Sequence, residues 1–426
     1  MDEPRLLTIA DGADLVAVRT ELFKTCRISV CIALPLAGDI AAKAVLPYVL
    51  RRSCRKYPDF TSLNGHLDEL YGATLGASVA KLGEAQVLHL SVSAIDDRFV
   101  PDGGSVAEEA VELLTQLLFE PKFENGTFCQ SDVDAEKRLL LQRMQSEDDD
   151  KRVYARRRCE EVMCENEPYG KNRYGTAEEI GSLTPARVYA AWREALETAR
   201  IRFVLVNSGE ADSAFSLLQT QFAGVQRRVC DIRTQFIKSA DTVRYERETQ
   251  ALMQGTLVMG FRCGMTHEYD MDPAATVMAD IFGGGTYSRL FSVVREKMSL
   301  CYFCSARLNR QKGVMLVFSG IETENEEKTR EAILAQLREI QDGTITQDTL
   351  DTSLRSLCDT IRGYTDSPDV LCAWYGNQIL NGSAKTPGQR IAEIQTVTLP
   401  QVRKAAEAVT LDTIFMLAGT GEEHHE

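Results

Sequence analysis

Apolar positions along the chain fall into two alternating rhythms. Residues 6–10 (LLTIA), 14–20 (DLVAVRT) and 26–34 (CRISVCIAL) are rich in β-branched side chains and bounded by polar or turn residues, which predicts strands. Apolar residues then recur at three- and four-residue steps in 41–53, 61–72, 106–118, 132–145 and 185–197, the spacing of one helix face. TLGASVA and QVLHLSVSAI between them read as paired strands, and IRFVLVN (201–207) closes this first series.

The second half repeats the order. QVLHLSVSAI, an acidic turn, VAEEAVELLTQLL, ENGTF and a long helix in the first half are matched by GVMLVFSGIE, an acidic turn, KTREAILAQLREI, DGTIT and DTLDTSLRSLCDTIRG in the second. The period is far longer than that of a solenoid repeat, so the duplicated unit is a whole α+β domain. The weakly periodic stretch 223–246 reads as a connector, giving domains at 1–222 and 247–426.

Composition narrows the function classes. A chain of 426 residues exceeds the roughly 100–200 of one domain. No segment reaches the roughly 18 uncharged apolar residues of a membrane helix, and the amino end builds no apolar signal core, so a cytoplasmic location is expected. The formal charge of −14 disfavours nucleic acid or an anionic membrane as partner, because either needs a basic footprint. Twelve scattered cysteines without an export signal indicate reduced thiols rather than a disulfide framework. Cys301 and Cys304 have CxxC spacing, but on a strand the two thiols would point to opposite faces, and no second CxxC completes a zinc cage.

The most specific stretch is GGGTYSRLFSVVREKMSLCY (283–302): a glycine run, a helix over 288–297 with Leu290, Phe291, Val293 and Val294 on its apolar side, then Arg295 and, seven residues on, Tyr302. With two similar α+β domains in a chain of this size, it resembles one half of an insulinase-type (M16) metallopeptidase. The resemblance implies two homologous insulinase-like (LuxS/MPP-like) domains forming one half of a clamshell, and it covers nearly the whole chain. In that family an arginine and a tyrosine at this spacing hold substrate backbone, which assigns substrate binding to Arg295 and Tyr302. The glycines would supply a tight turn between helices.

The catalytic members carry H-x-x-E-H on a helix, where two histidines one turn apart ligate zinc and the glutamate acts as general base. The corresponding helix here offers Ala44, Pro47 and Tyr48 at those three positions, and the third-ligand position falls on Arg143, with Gln142 one residue away. Side chains of methyl, imide-ring, phenol and guanidinium type cannot replace that ligand set. No other histidine restores it. His66 and Glu69 make only H-x-x-E, His89 lies in an alternating strand, His267-Glu268 sits in a polar loop with Asp270 and Asp272, and GEEHHE is a charged chain end.

The resemblance therefore implies a non-catalytic subunit without metal or cofactor of its own. Its partner would be an H-x-x-E-H-bearing homologue that holds the zinc, and Arg295 and Tyr302 would reach a peptide lying on that site. Two alternatives stand beside this one: a scaffold or assembly protein that kept the fold without any part in proteolysis, and a peptidase with an unconventional metal site. Arg295 could also be an ion-pair arginine with Glu296, and Tyr302 a plain strand aromatic.

Overall fold

The computed structural model describes residues 2–101, 103–265 and 271–420. The His267-Glu268 loop and the GEEHHE tail lie outside them. Strands and helices alternate into two mixed sheets with helices against them, the α+β class that the alternating rhythms predict.

The chain divides into two compact units, each discontinuous in sequence: Met1–Met144, Asn172–Arg233 and Arg362–Pro387 form the first, and Gln145–Lys171, Thr234–Ile361 and Gly388–Glu426 the second. Contiguous domains at 1–222 and 247–426 do not include this exchange of segments. The connector also ends earlier than expected, because residues 244–246 already belong to a strand.

In the first unit the strands are β1 (Arg5–Ala10), β2 (Ala13–Arg19), β3 (Thr25–Pro35), β4 (Thr74–Leu82), β5 (Ala85–Ile95), a two-residue pair β6 (Phe123–Glu124) and β7 (Thr127–Phe128), and β8 (Arg200–Asn207). The main sheet runs β1-β2-β8-β3-β5-β4, with β2 and β8 parallel and the other neighbours antiparallel. Strands β2 and β8 carry the unbroken apolar runs 15–18 and 203–206, the pattern of a strand covered on both faces. Leu15, Ala17, Phe203 and Leu205 enter the large core under the helices Ile40–Leu50, Val106–Phe119 and Pro185–Thr198. The alternate residues Val16, Val18, Val204 and Val206 face Leu371, Cys372 and Tyr375 of the helix Pro368–Gly376, which comes from the far end of the chain.

The second unit contains β9 (Arg244–Gln250), β10 (Gly255–Arg262), β11 (Phe303–Asn309), β12 (Val314–Ile321) and β13 (Thr410–Gly419), ordered β11-β12-β10-β13-β9 with β13 and β9 parallel. Matching β10 to β3, β11 and β12 to β4 and β5, β13 to β8 and β9 to β2 reproduces the first sheet without its edge strand. One face of this sheet packs Val258, Val314, Leu316, Phe415 and Leu417 against Ala155, Cys159 and Met163 of the helix Lys151–Met163, drawn from the first half of the chain. Each half thus gives its fifth long helix to the other unit.

A buried arginine anchors each exchanged helix. Arg202 on β8 makes a two-pronged pair with Asp14 (2.7 Å each) and donates to the Tyr375 and Ser383 carbonyls near the end of Pro368–Gly376. Arg262 on β10 pairs with Asp412 (2.8 Å) and Glu167 (2.6 Å) and donates to the Met163 carbonyl at the end of Lys151–Met163. Unsatisfied carbonyls at a helix end would otherwise be costly in these dry interiors.

Candidate functional site

The helix Ile40–Leu50 is set by Asp39, which caps it through the Ala42 N–H (3.1 Å) and is gripped by Arg187 at 2.8 and 2.9 Å. Burial alone would raise the Asp39 pKa; the Arg187 pair and the capping bond hold it below the usual carboxylate range. All eleven helix residues are buried. Pro47 lies inside the helix, where it can offer no backbone N–H.

At the metal-site positions, Ala44 is fully buried and Tyr48 nearly so. The guanidinium of Arg143, on the helix Gln130–Asp149, lies over the Tyr48 ring at 4.0 Å, with that of Arg51 at 5.8 Å. Gln142 is exposed. Arg173 donates to the Tyr174 hydroxyl at 3.1 Å. Burial pushes the Tyr48 phenol up to about 12, so it stays protonated at neutral pH. This group of side chains does not fit zinc: it presents cations and a neutral phenol where anionic or imidazole donors are required. Among the described residues no cluster of three or more His, Cys, Asp or Glu could hold a metal ion.

The two histidines among the described residues, His66 and His89, have local partners. His66 stacks on Tyr57 (ring centroids 4.4 Å) with Glu69 at 3.5 Å. His89 on β5 meets the Cys31 thiol at 3.2 Å, and burial lowers its pKa to about 4.

In the second unit the glycine run ends the helix Asp272–Gly283. None of Gly283, Gly284 and Gly285 takes a positive φ, so the expected turn is not what requires them. A Cβ on Gly283 would collide with the Ala306 backbone nitrogen and one on Gly284 with the Asp280 carboxylate. The missing side chains allow the helix end to press against β11. The expected α-helix over 288–297 is wound instead as a π-helix over Leu290–Lys297, closed by the Met298 N–H on the Val293 carbonyl (2.9 Å). Leu290 and Val294 are buried, whereas Phe291 and Val293 are only partly so.

Arg295 emerges from this π-helix with 38 % of its side chain exposed, its guanidinium over the Phe291 ring at 4.5 Å and the Glu296 carboxylate at 3.6 Å. Tyr302, 53 % exposed, precedes β11, and its N–H is held by the Gly320 carbonyl (2.9 Å). Its hydroxyl donates to Glu322, whose negative charge keeps the phenol more weakly acidic than usual. Arg295 acts electrostatically on Cys301, the residue before Tyr302. Cys301 lies ahead of β11, where the chain bends, so the strand alternation expected to send the CxxC thiols to opposite faces does not extend to it.

A family model described as "Peptidase M16 inactive domain" matches residues 182–357. A Bacillus subtilis protein named "Probable inactive metalloprotease YmfF" is 28 % identical over 95 % of each chain. A solved structure of a conserved protein from Enterococcus faecalis superposes with a TM-score of 0.89 at 25 % identity, covering 99 % of this chain and all of that one. The peptidase M16 inactive domain from Pseudomonas fluorescens shares the fold over the full length of both chains, with a TM-score of 0.79 at 17 % identity.

Proposed function

Because the chain is a non-catalytic homologue of the M16 peptidases, we propose that it is the substrate-gripping subunit of a heterodimeric zinc peptidase. An H-x-x-E-H-bearing homologue would supply the metal and the general base, and this chain would supply Arg295 and Tyr302 to an extended peptide. The guanidinium offers a planar, permanently charged set of donors and the phenol a neutral one, and both suit peptide carbonyls. Near a carbonyl under attack, such donors also stabilise the charge that develops on its oxygen. No metal step is assigned to this chain.

The observation that carries the reading is the contrast among its arginines. Arg202 and Arg262 are sealed inside the units with full sets of partners, whereas Arg295 stays half-exposed with its nearest carboxylate at 3.6 Å. Tyr302 keeps its hydroxyl at the surface on Glu322, so a peptide carbonyl competes only with a solvated carboxylate for that donor.

The test is co-expression with an H-x-x-E-H homologue and a peptide-cleavage assay. Arg295→Ala should cost about 1.5–3 kcal/mol, roughly 10- to 100-fold in the partner's kcat/KM, and Tyr302→Phe should cost less. A stable complex whose cleavage neither substitution alters would leave the scaffold role instead.

A further inference from the structure

Two guanidinium groups meet at the degenerate metal-site positions of the first unit. Arg143 and Arg51 lie over the same Tyr48 ring, and neither has a carboxylate within ion-pair distance among the described residues. In a chain with 62 acidic residues against 48 lysines and arginines, that is unusual company. Other half-buried arginines, Arg157, Arg158 and Arg187, each hold an acid. Arg52, next to Arg51, takes Asp132 (2.8 Å) and Glu136 (3.0 Å), both from the helix that carries Arg143. Those carboxylates are therefore committed elsewhere.

Arg143 is also incompletely hydrogen-bonded, because its Nη1 is sealed from solvent without a partner. Stacking does not repair this. The ring face attracts the charge, but the N–H bonds lie in the guanidinium plane and need acceptors at its edge. A buried donor left in this way costs about 1–3 kcal/mol, and more when it is charged. Tyr48 supplies no counter-charge, since burial keeps its phenol protonated at neutral pH. The side chains of Arg143 and Arg51 are half-buried overall, which leaves guanidinium edge for an anion arriving from solvent.

We propose that Tyr48, Arg51 and Arg143 form a receptor for a singly charged carboxylate, carried by a small molecule or by the free end of a peptide. The two carboxylate oxygens accept parallel N–H bonds from the Arg143 fork, and Arg51 adds charge from the same ring. A doubly charged phosphate suits the place less well. Tyr48 and Arg51 stand at the C-terminal end of Ile40–Leu50, where the last carbonyls carry partial negative charge. The positions that cannot hold a metal cation thus attract the opposite charge. The proposal stands whether or not Arg295 and Tyr302 grip a peptide.

The experiment is calorimetric titration of the full chain at low ionic strength with millimolar acetate, N-acetyl-dialanine, the amide of that dipeptide, and inorganic phosphate. Saturable binding of the carboxylates and none of the amide is expected. Tighter binding of the dipeptide than of acetate assigns the site to a peptide end, and equal binding assigns it to a small carboxylate. Arg143→Gln should weaken binding about tenfold or more, as for a lost charge-assisted bond, and Arg143→Lys, which keeps the charge without the fork, should fall between. Arg51→Gln should weaken it by a smaller factor and decides the matter where an Arg143 variant fails to fold, with the urea midpoint as the check. The proposal is overturned if neither carboxylate saturates, if the amide binds as well as the acid, if phosphate binds more tightly than both carboxylates, or if Arg51→Gln and every folded Arg143 variant bind as the native chain does.

Discussion

The two units share a strand order and an anchoring device, yet they spend their charge differently. In the first, Arg202 meets one carboxylate, Asp14, whose side chain is still 24 % exposed. In the second, Arg262 meets Glu167 and Asp412, both sealed, and Lys312 adds a second cation on Glu167 at 2.5 Å. Burial alone would raise Glu167, but its bonds to Arg262 and Lys312 outweigh that and hold it below the usual carboxylate range. The helices behind the sheets differ in the opposite sense. Ile40–Leu50 is closed over by Arg143 and Tyr174, whereas Leu290–Lys297 leaves Arg295 half in solvent. The second copy therefore holds both the more deeply sealed charge, around Arg262, and the more available one, Arg295.

The largest expected effect comes from severing what the units share in common, the exchanged helices. Fragments 1–222 and 247–426, expressed apart, should each expose an apolar sheet face and fail to show cooperative urea unfolding, whereas co-expression should restore it. If each fragment unfolds cooperatively alone, the exchange is not needed for stability.

Next in size is the difference between the two anchors. Arg262→Met strands two buried carboxylates and should cost about 3–5 kcal/mol, while Arg202→Met leaves Asp14 able to hydrate and should cost about half as much. Equal shifts in urea midpoint would erase the distinction drawn above.

A pH series sharpens it further. His89, in the first unit, has a folded pKa near 4 against about 6.5 when unfolded, so its contribution is complete above pH 6.5 and is lost as pH falls toward 4. The loss is up to about 3 kcal/mol, and His89→Asn should flatten that part of the profile. Glu167, in the second unit, is depressed below its unfolded value near 4.5, so it contributes above that pH and fails only as pH drops through its folded pKa. A stability curve without slope between pH 6.5 and 4.5 would contradict the His89 assignment. The smallest effect belongs to Arg143→Ala, which removes the stack on Tyr48 and should cost about 0.5–2 kcal/mol by chemical denaturation.

Much of this architecture was legible in residue order. The unbroken apolar runs of β2 and β8 already required cover on both faces, and the long helices announced themselves by three- and four-residue steps. The exchanged helix Lys151–Met163 did not, because its apolar contribution is a narrow stripe of Ala155, Cys159 and Met163 among arginines and glutamates. Their four-residue spacing was the available signal. At the site, spacing singled out Arg295 and Tyr302, but not the π-helical winding of Leu290–Lys297 or the turn after it, where Ser299 takes a positive φ that no periodicity reports.

The helix Pro368–Gly376 also orders events during synthesis. The first sheet is complete once Asn207 has left the ribosome, yet Val16, Val18, Val204 and Val206 wait for their cover until Gly376 has been translated. At typical elongation rates that interval is on the order of ten seconds or more. A nascent chain of this protein therefore passes through a long-lived stage with a sticky valine face, the kind of surface that holdase chaperones engage.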